Sequence, residues 1–264
     1  MRAMPTTAAL AYPFLGFMVG LIVGLTGVGG GSLMTPLLVL LFHIHPTQAV
    51  GTDLLYAAAT KSVGTMVHNA SATVDWRIVR RLASGSVPAT VLTLLALYLF
   101  GPESPAVAKA ITFFLGIALL LTAVCILFRG WLVRHLTRLL GEPSERRAAL
   151  LTVASGLVLG VLVSISSVGA GALGVTALIV LYPRVRLVSI VGSDIAHAVP
   201  LTLLAGLGHW GMGDVNMHLL GQLLLGSIPG ILLGSFLAPR MPEGGLRPLL
   251  AAVLFVVGGK LVFA

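Results

Sequence analysis

The sequence predicts an all-α, polytopic membrane protein of two inverted-topology repeats, and three observations carry that prediction. Hydrophobic residues make up 57% of the 264-residue chain and charged residues 9%, against about a quarter charged in soluble domains. Apolar runs recur from end to end, at about 11–26, 32–43, 50–67, 82–100, 106–128, 149–166, 171–182, 190–208, 218–238 and 246–263. They also fall into two groups that match one another in order. At ~20 residues per crossing the chain suffices for roughly eight to ten membrane segments, with broken or re-entrant helices among them, and little else. The expected division is a first transmembrane repeat over 1–128, a cytoplasmic linker over 129–148 and a second repeat over 149–264.

The repeat rests on polar motifs at matched spacing. Gly20, Val28, Gly29, Gly31 and Leu33 match Gly160, Val168, Gly169, Gly171 and Leu173. Val50-Gly51-Thr52-Asp53 then matches Val191-Gly192-Ser193-Asp194, His68 matches His209, and Gly85-Ser86-Val87-Pro88 matches Gly226-Ser227-Ile228-Pro229. Two polar motifs in one order favour duplication over chance identity among glycine-rich segments. The start of the chain looks like a signal peptide, a basic residue before an apolar run. Its internal echo argues that it is structural instead.

Charge tests the inversion. Twelve of the sixteen Lys and Arg, from Arg77, Arg80 and Arg81 through the 129–147 cluster to Arg184, Arg186, Arg240 and Arg247, fall in loops that one topology places on a single face. The opposite loops, at about 43–49, 101–105 and 209–217, hold no Lys or Arg. An odd number of crossings per repeat gives this pattern, with the basic loops cytoplasmic. The net charge of +8 is therefore a topology signal with anionic lipid nearby, and nucleic acid is not an expected partner.

The first two runs of each repeat span only about 22 and 18 Å at 1.5 Å per residue, against ~30 Å of hydrocarbon. They are expected to be broken helices or re-entrant hairpins whose turns meet near the midplane, where non-helical backbone is tolerated only against protein or a watery cavity. Those turns are Gly24 to Pro36, GLTGVGGGSLMTP, and Ser164 to Thr176, SISSVGAGALGVT. A helix starting at such a turn offers unpaired N–H groups and a partial positive charge, which suits an anion. Backbone at Gly29, Gly30, Gly31, Ser32, Gly169, Ala170, Gly171 and Ala172 would then bind it, with hydroxyls from Thr26, Ser32, Ser164, Ser166 and Ser167. The competing reading is small residues for close helix packing.

Asp53 and Asp194 form the second matched pair. Helix capping near an interface is the simpler expectation for them; carriage of a proton or cation beside the substrate is the other. Lys61 lies two turns beyond Asp53 and would balance an anion or pair with Asp53, while His197 would serve proton traffic or sit satisfied in the core. Pro88 and Pro229 would start or kink helices. No metal is expected, because His43 and His45 are isolated and the His68 and His209 neighbourhoods lie on opposite faces. No cofactor is expected either, for GVGGGS lacks a P-loop's lysine. Enzymatic activity is not expected, since GxSxG and HExxH are absent.

GLTGVGGGSLMTPLL at 24–38, VGTDLL at 50–55, HNASATVDW at 68–76 and the GSVP and GSIPG runs resemble the TauE/SafE sulfite exporter family of bacterial membrane proteins, over nearly the whole chain. Gly-Thr-Asp at 51–53 stands where members often read Gly-Thr-Ser. The resemblance implies transport of sulfite, an organosulfonate such as sulfoacetate, or another small anion across the bacterial cytoplasmic membrane. The expectation is a multi-pass secondary transporter exporting such an anion, with an anion channel or passive facilitator as the alternative. Its partners would be the anionic substrate and membrane lipid; proton coupling and assembly into a homo-oligomer stay open.

Overall fold

The computed structural model describes residues 6–26, 31–70, 72–101, 104–141, 143–237 and 243–263, with the side chains of 6–10, 26, 31–32, 64, 67–70, 140, 235 and 243–247 outside that description. Every element is a helix: α1 (Thr6–Thr26), α2 (Gly31–Phe42), α3 (Pro46–Ala70), α4 (Trp76–Phe100), α5 (Pro105–Leu127), α6 (Arg129–Leu140), α7 (Glu145–Ser166), α8 (Ala172–Leu181), α9 (Leu187–Gly211), α10 (Met217–Leu237) and α11 (Glu243–Val262). Among the described residues, five helices are both long and apolar enough to cross a membrane. The chain is a multi-pass membrane protein.

Two expectations about segment length need correction. Only the second segment of each half is short, α2 with 12 residues and α8 with 10. The first is full length, α1 with 21 and α7 with 22, because both begin in polar residues that apolar run-counting assigns to loops. Ser144 caps α7 by accepting the Arg147 N–H, so the helix starts inside the basic stretch. The stretch between the halves also holds a twelve-residue amphipathic helix, α6.

Helix pairing follows the repeat. α1 packs on α10 as α7 packs on α4, while α3 meets α9 and α5 meets α11, each its own counterpart. Glycines make the close contacts, as expected where lipid offers no hydrophobic drive and van der Waals approach decides association. Gly16 lies on the backbone of Leu223 and Gly20 on that of Ser227; Gly156 lies on Leu82 and Gly160 on Ser86. Gly85 abuts Val153, and its match Gly226 abuts Pro13. None of the six sites has room for a Cβ. The GSVP and GSIP runs are thus parallel-helix packing surfaces, and both α4 and α10 continue through their prolines.

The self-paired helices run antiparallel. In α3 and α9, Leu55 lies against Gly206 and Gly51 against His209; in α5 and α11, Gly116 lies against Val262 and Leu120 against Gly258. Equivalent helices that meet antiparallel while α1·α10 and α4·α7 meet parallel have the directions an inverted repeat requires. Arg81 pairs with Glu145 and donates to the Tyr182 hydroxyl, which joins the basic starts of α4, α7 and α9 on one face.

Candidate functional site

Chain direction defines the site. α7 enters from the cation-rich face and turns at 167–171, and α8 returns toward the same face, so the turn ends inside the bundle against α3 and α9. Ser167 takes a left-handed conformation with φ 59°, and Gly169 and Gly171 take φ 123° and 126°. Such angles at two successive alternate positions favour glycine, whose missing Cβ removes the clash. The Ser166 hydroxyl donates to Leu162 O and accepts the Val168 N–H. It is consumed in building the turn, not aimed at a ligand. Ser164 is likewise spent, donating to Gly160 O and lying 3.1 Å from Thr90 Oγ1.

That single turn touches three charged residues. Ser167 sets its hydroxyl beside the Asp53 carboxylate. The Ala170 carbonyl accepts from Lys61 Nζ at 3.4 Å. The Gly171 backbone lies against the Asp194 carboxylate, which also presses on Gly174 so closely that a Cβ there would collide with it. Asp53 is 0% exposed and Asp194 1%. Lys61 is the cation that acts on both carboxylates.

Neither aspartate is a helix cap, which corrects the simpler sequence expectation. Asp53 lies two turns inside α3, which starts at Pro46, and Asp194 lies two turns inside α9, whose N-cap is Arg186. Each reaches the short helix of its own half. Asp53 Oδ2 accepts from Thr35 of α2, and Asp194 meets the first turn of α8. One oxygen of each, Oδ1, has no hydrogen-bond partner among the described residues. The partial positive charge at the α8 N-terminus therefore faces the protein's own carboxylate.

The remaining expected residues divide. Gly29 and Gly30 lie outside the described residues; Thr26 closes α1, and Gly31 and Ser32 open α2, with their side chains undescribed. Ala172 is the first residue of α8. His197 is fully buried with Nε2 2.8 Å from Ser86 Oγ and Lys61 nearby. His209 is buried too, its Nε2 2.9 Å from the Ser164 carbonyl and its Nδ1 3.5 Å from Asp214 Oδ2. Asp75 caps α4 by accepting from the Arg77 and Ile78 N–H groups. Among the described residues no cluster could hold a metal ion.

Sequence reasoning missed Thr35, Thr52 and Ser193. Thr35 carried no signal beyond its place in the first glycine-rich stretch. Thr52 and Ser193 did: both are hydroxyls at matched positions immediately before the aspartates. The structure uses them to join the halves, since Thr52 Oγ1 accepts the Asn216 N–H at 3.1 Å and Ser193 Oγ accepts the Asp75 N–H at 2.8 Å. The four residues are themselves matched pairs, Thr52 with Ser193 and Asp75 with Asn216.

Residues 12–261 match a family model described as Sulfite exporter TauE/SafE. The chain is 41% identical over 250 residues to the "Probable membrane transporter protein YjnA" of Bacillus subtilis strain 168, covering 94% of this chain and 97% of that one. It is 26% identical to "Probable membrane transporter protein YdhB" of the same organism over 249 residues, with the same coverage. A third likeness, 38% over 72 residues, is to its "Probable membrane transporter protein YunE" and covers 27% of this chain and 26% of that one. No solved structure matches.

Proposed function

This chain belongs to the sulfite exporter TauE/SafE family, and from that premise we propose that it is a secondary transporter exporting a small anion, sulfite or an organosulfonate such as sulfoacetate, across the bacterial cytoplasmic membrane. One observation carries the reading: a single hairpin turn touches Asp53, Lys61 and Asp194 between the two halves. Ionisable groups buried in a membrane are costly and are usually retained for transport.

The chemistry follows from what the turn offers. Its N–H groups and Lys61 suit an anion, but Asp194 already occupies part of that field. Protonating Asp194 removes the competing charge, so proton and anion bind cooperatively. Asp53 and Thr35 would repeat the arrangement in the other half, and rocking of the halves would expose the cluster to one face and then the other. If a dianion moves with one proton, the pair keeps one net negative charge. An inside-negative potential favours its exit by about 2.3 kcal/mol per 100 mV.

The test is sulfite and sulfoacetate flux in proteoliposomes with and without an imposed pH gradient, in wild type and Asp194→Asn. Gradient-dependent flux in the wild type that the variant loses, with anion binding kept, supports coupled transport through Asp194. Flux indifferent to the gradient would support a passive facilitator. Absence of both flux and binding for either anion would remove the substrate assignment.

A further inference from the structure

We propose that the cleft beneath α6 is a binding site for one anionic phospholipid of the cation-rich leaflet. The cleft has a volume of about 900 Å³ and lies among the ends of α5 and α6, the α8–α9 connection and α11. Its lining is mixed, with Ile126, Val133, Ile179 and Leu187 among the apolar residues and Arg129 the charged one. Gly130 also lines it, and the Arg134 guanidinium stands beside Gly130. Two guanidiniums thus stand at a cleft with apolar residues on several sides.

Three sides of α6 match three environments. Leu132, Val133 and Leu136 are half-buried and share the side that meets α5 and α8. Arg134 and Arg138 share a second side, and Trp131, His135 and Leu139, all exposed, share a third. The Trp131 and His135 rings stack at 5.1 Å and 7°. A helix with one packed side, one cationic side and one side carrying tryptophan and leucine suits the headgroup level of a bilayer. The charge selects an anionic headgroup, and the apolar residues of the lining select an acyl chain, so a soluble phosphate satisfies only half of the site.

The equivalent connection in the first half argues that this is a built feature. The cavity at the α2–α3 connection, about 280 Å³, is lined by Tyr12, His43, His45, Gln48, His218 and Gln222 among others, with no Lys or Arg. Related backbone therefore supports a polar cavity on the cation-poor face and a lipid-like one on the cation-rich face.

The test is native mass spectrometry of the full chain in detergent, with phosphatidylglycerol or phosphatidylcholine added. The expected result is one retained phosphatidylglycerol, preferred by about tenfold or more, since each nearby arginine contributes roughly 1 kcal/mol toward an anionic lipid. Arg129→Gln with Arg134→Gln is expected to abolish the preference, and Ile179→Trp, which fills the cleft, to abolish retention; Arg77→Gln with Arg80→Gln is expected to change neither. Equal retention of the two lipids by the wild type overturns the proposal without any variant. So does an equal loss in the Arg77 and Arg80 control, or full displacement of the lipid by inorganic phosphate.

Discussion

The backbone N–H of Asn216, before α10, donates to the hydroxyl of Thr52 in α3 at 3.1 Å. This bond ties the second half of the chain to the first one residue from Asp53. Its counterpart, Asp75 N–H to Ser193, does the same one residue from Asp194 at 2.8 Å. The two bonds lie at opposite faces, and both are closed in this structure. Under the proposed rocking of the halves, each bond is a candidate gate contact beside a carboxylate.

Thr52→Val keeps the shape and removes the acceptor, leaving the Asn216 N–H without its partner at a cost of about 1–3 kcal/mol. The expected outcome is faster hydrogen exchange over 212–217, with 72–76 unchanged. Ser193→Ala is expected to give the reverse pattern. Uniform acceleration in both variants would mean that the two bonds only stabilise the fold.

Gly20 and Gly160 lie at equivalent close approaches of paired helices. Alanine at either forces the helices apart, and overpacking typically costs about 1–3 kcal/mol. Thermal unfolding in detergent is expected to fall for Gly20→Ala and Gly160→Ala alike. Gly221→Ala, with open space around it, is expected to hold or slightly raise stability, since alanine is the better helix former.

Lys61 is the cation acting on both buried carboxylates. Lys61→Met leaves them without it, and breaking a buried charge pair costs about 3–5 kcal/mol. The expected result is poor recovery of folded protein, partly restored by adding Asp53→Asn. Full stability of Lys61→Met alone would show that the three charges do not act as a unit.

Anion binding is expected to strengthen as pH falls. Protonating Asp194 withdraws the negative charge from the α8 N-terminus, and the anion gains the field that the carboxylate held. Asp194→Asn is expected to bind the anion with a flatter pH profile, measured by calorimetry in detergent. Gly174→Ala, whose methyl would collide with Asp194, is expected to weaken that profile without changing any charge. Binding that strengthens with rising pH in the wild type would reverse the assigned order of proton and anion.

Membrane embedding is legible in the sequence, and the matched motifs and loop charges that point to an inverted repeat are consistent with the observed helix directions. Hydropathy and loop charge are properties of residues in place, and a repeat is a pattern along one chain. The glycine-rich turns were legible as special for the same reason, although sequence could not separate packing glycines such as Gly20 and Gly160 from turn glycines such as Gly169 and Gly171. The first need a missing Cβ toward another helix; the second need a backbone angle. Which groups meet was decided by tertiary structure alone. Lys61 reaches Ala170 across 109 positions of sequence, and Asp53 and Asp194 leave the capping role because α3 and α9 begin about one turn earlier than their apolar runs suggest, which sets each aspartate two turns inside its helix. Such meetings depend on where helices start and how they cross, and no local pattern encodes either.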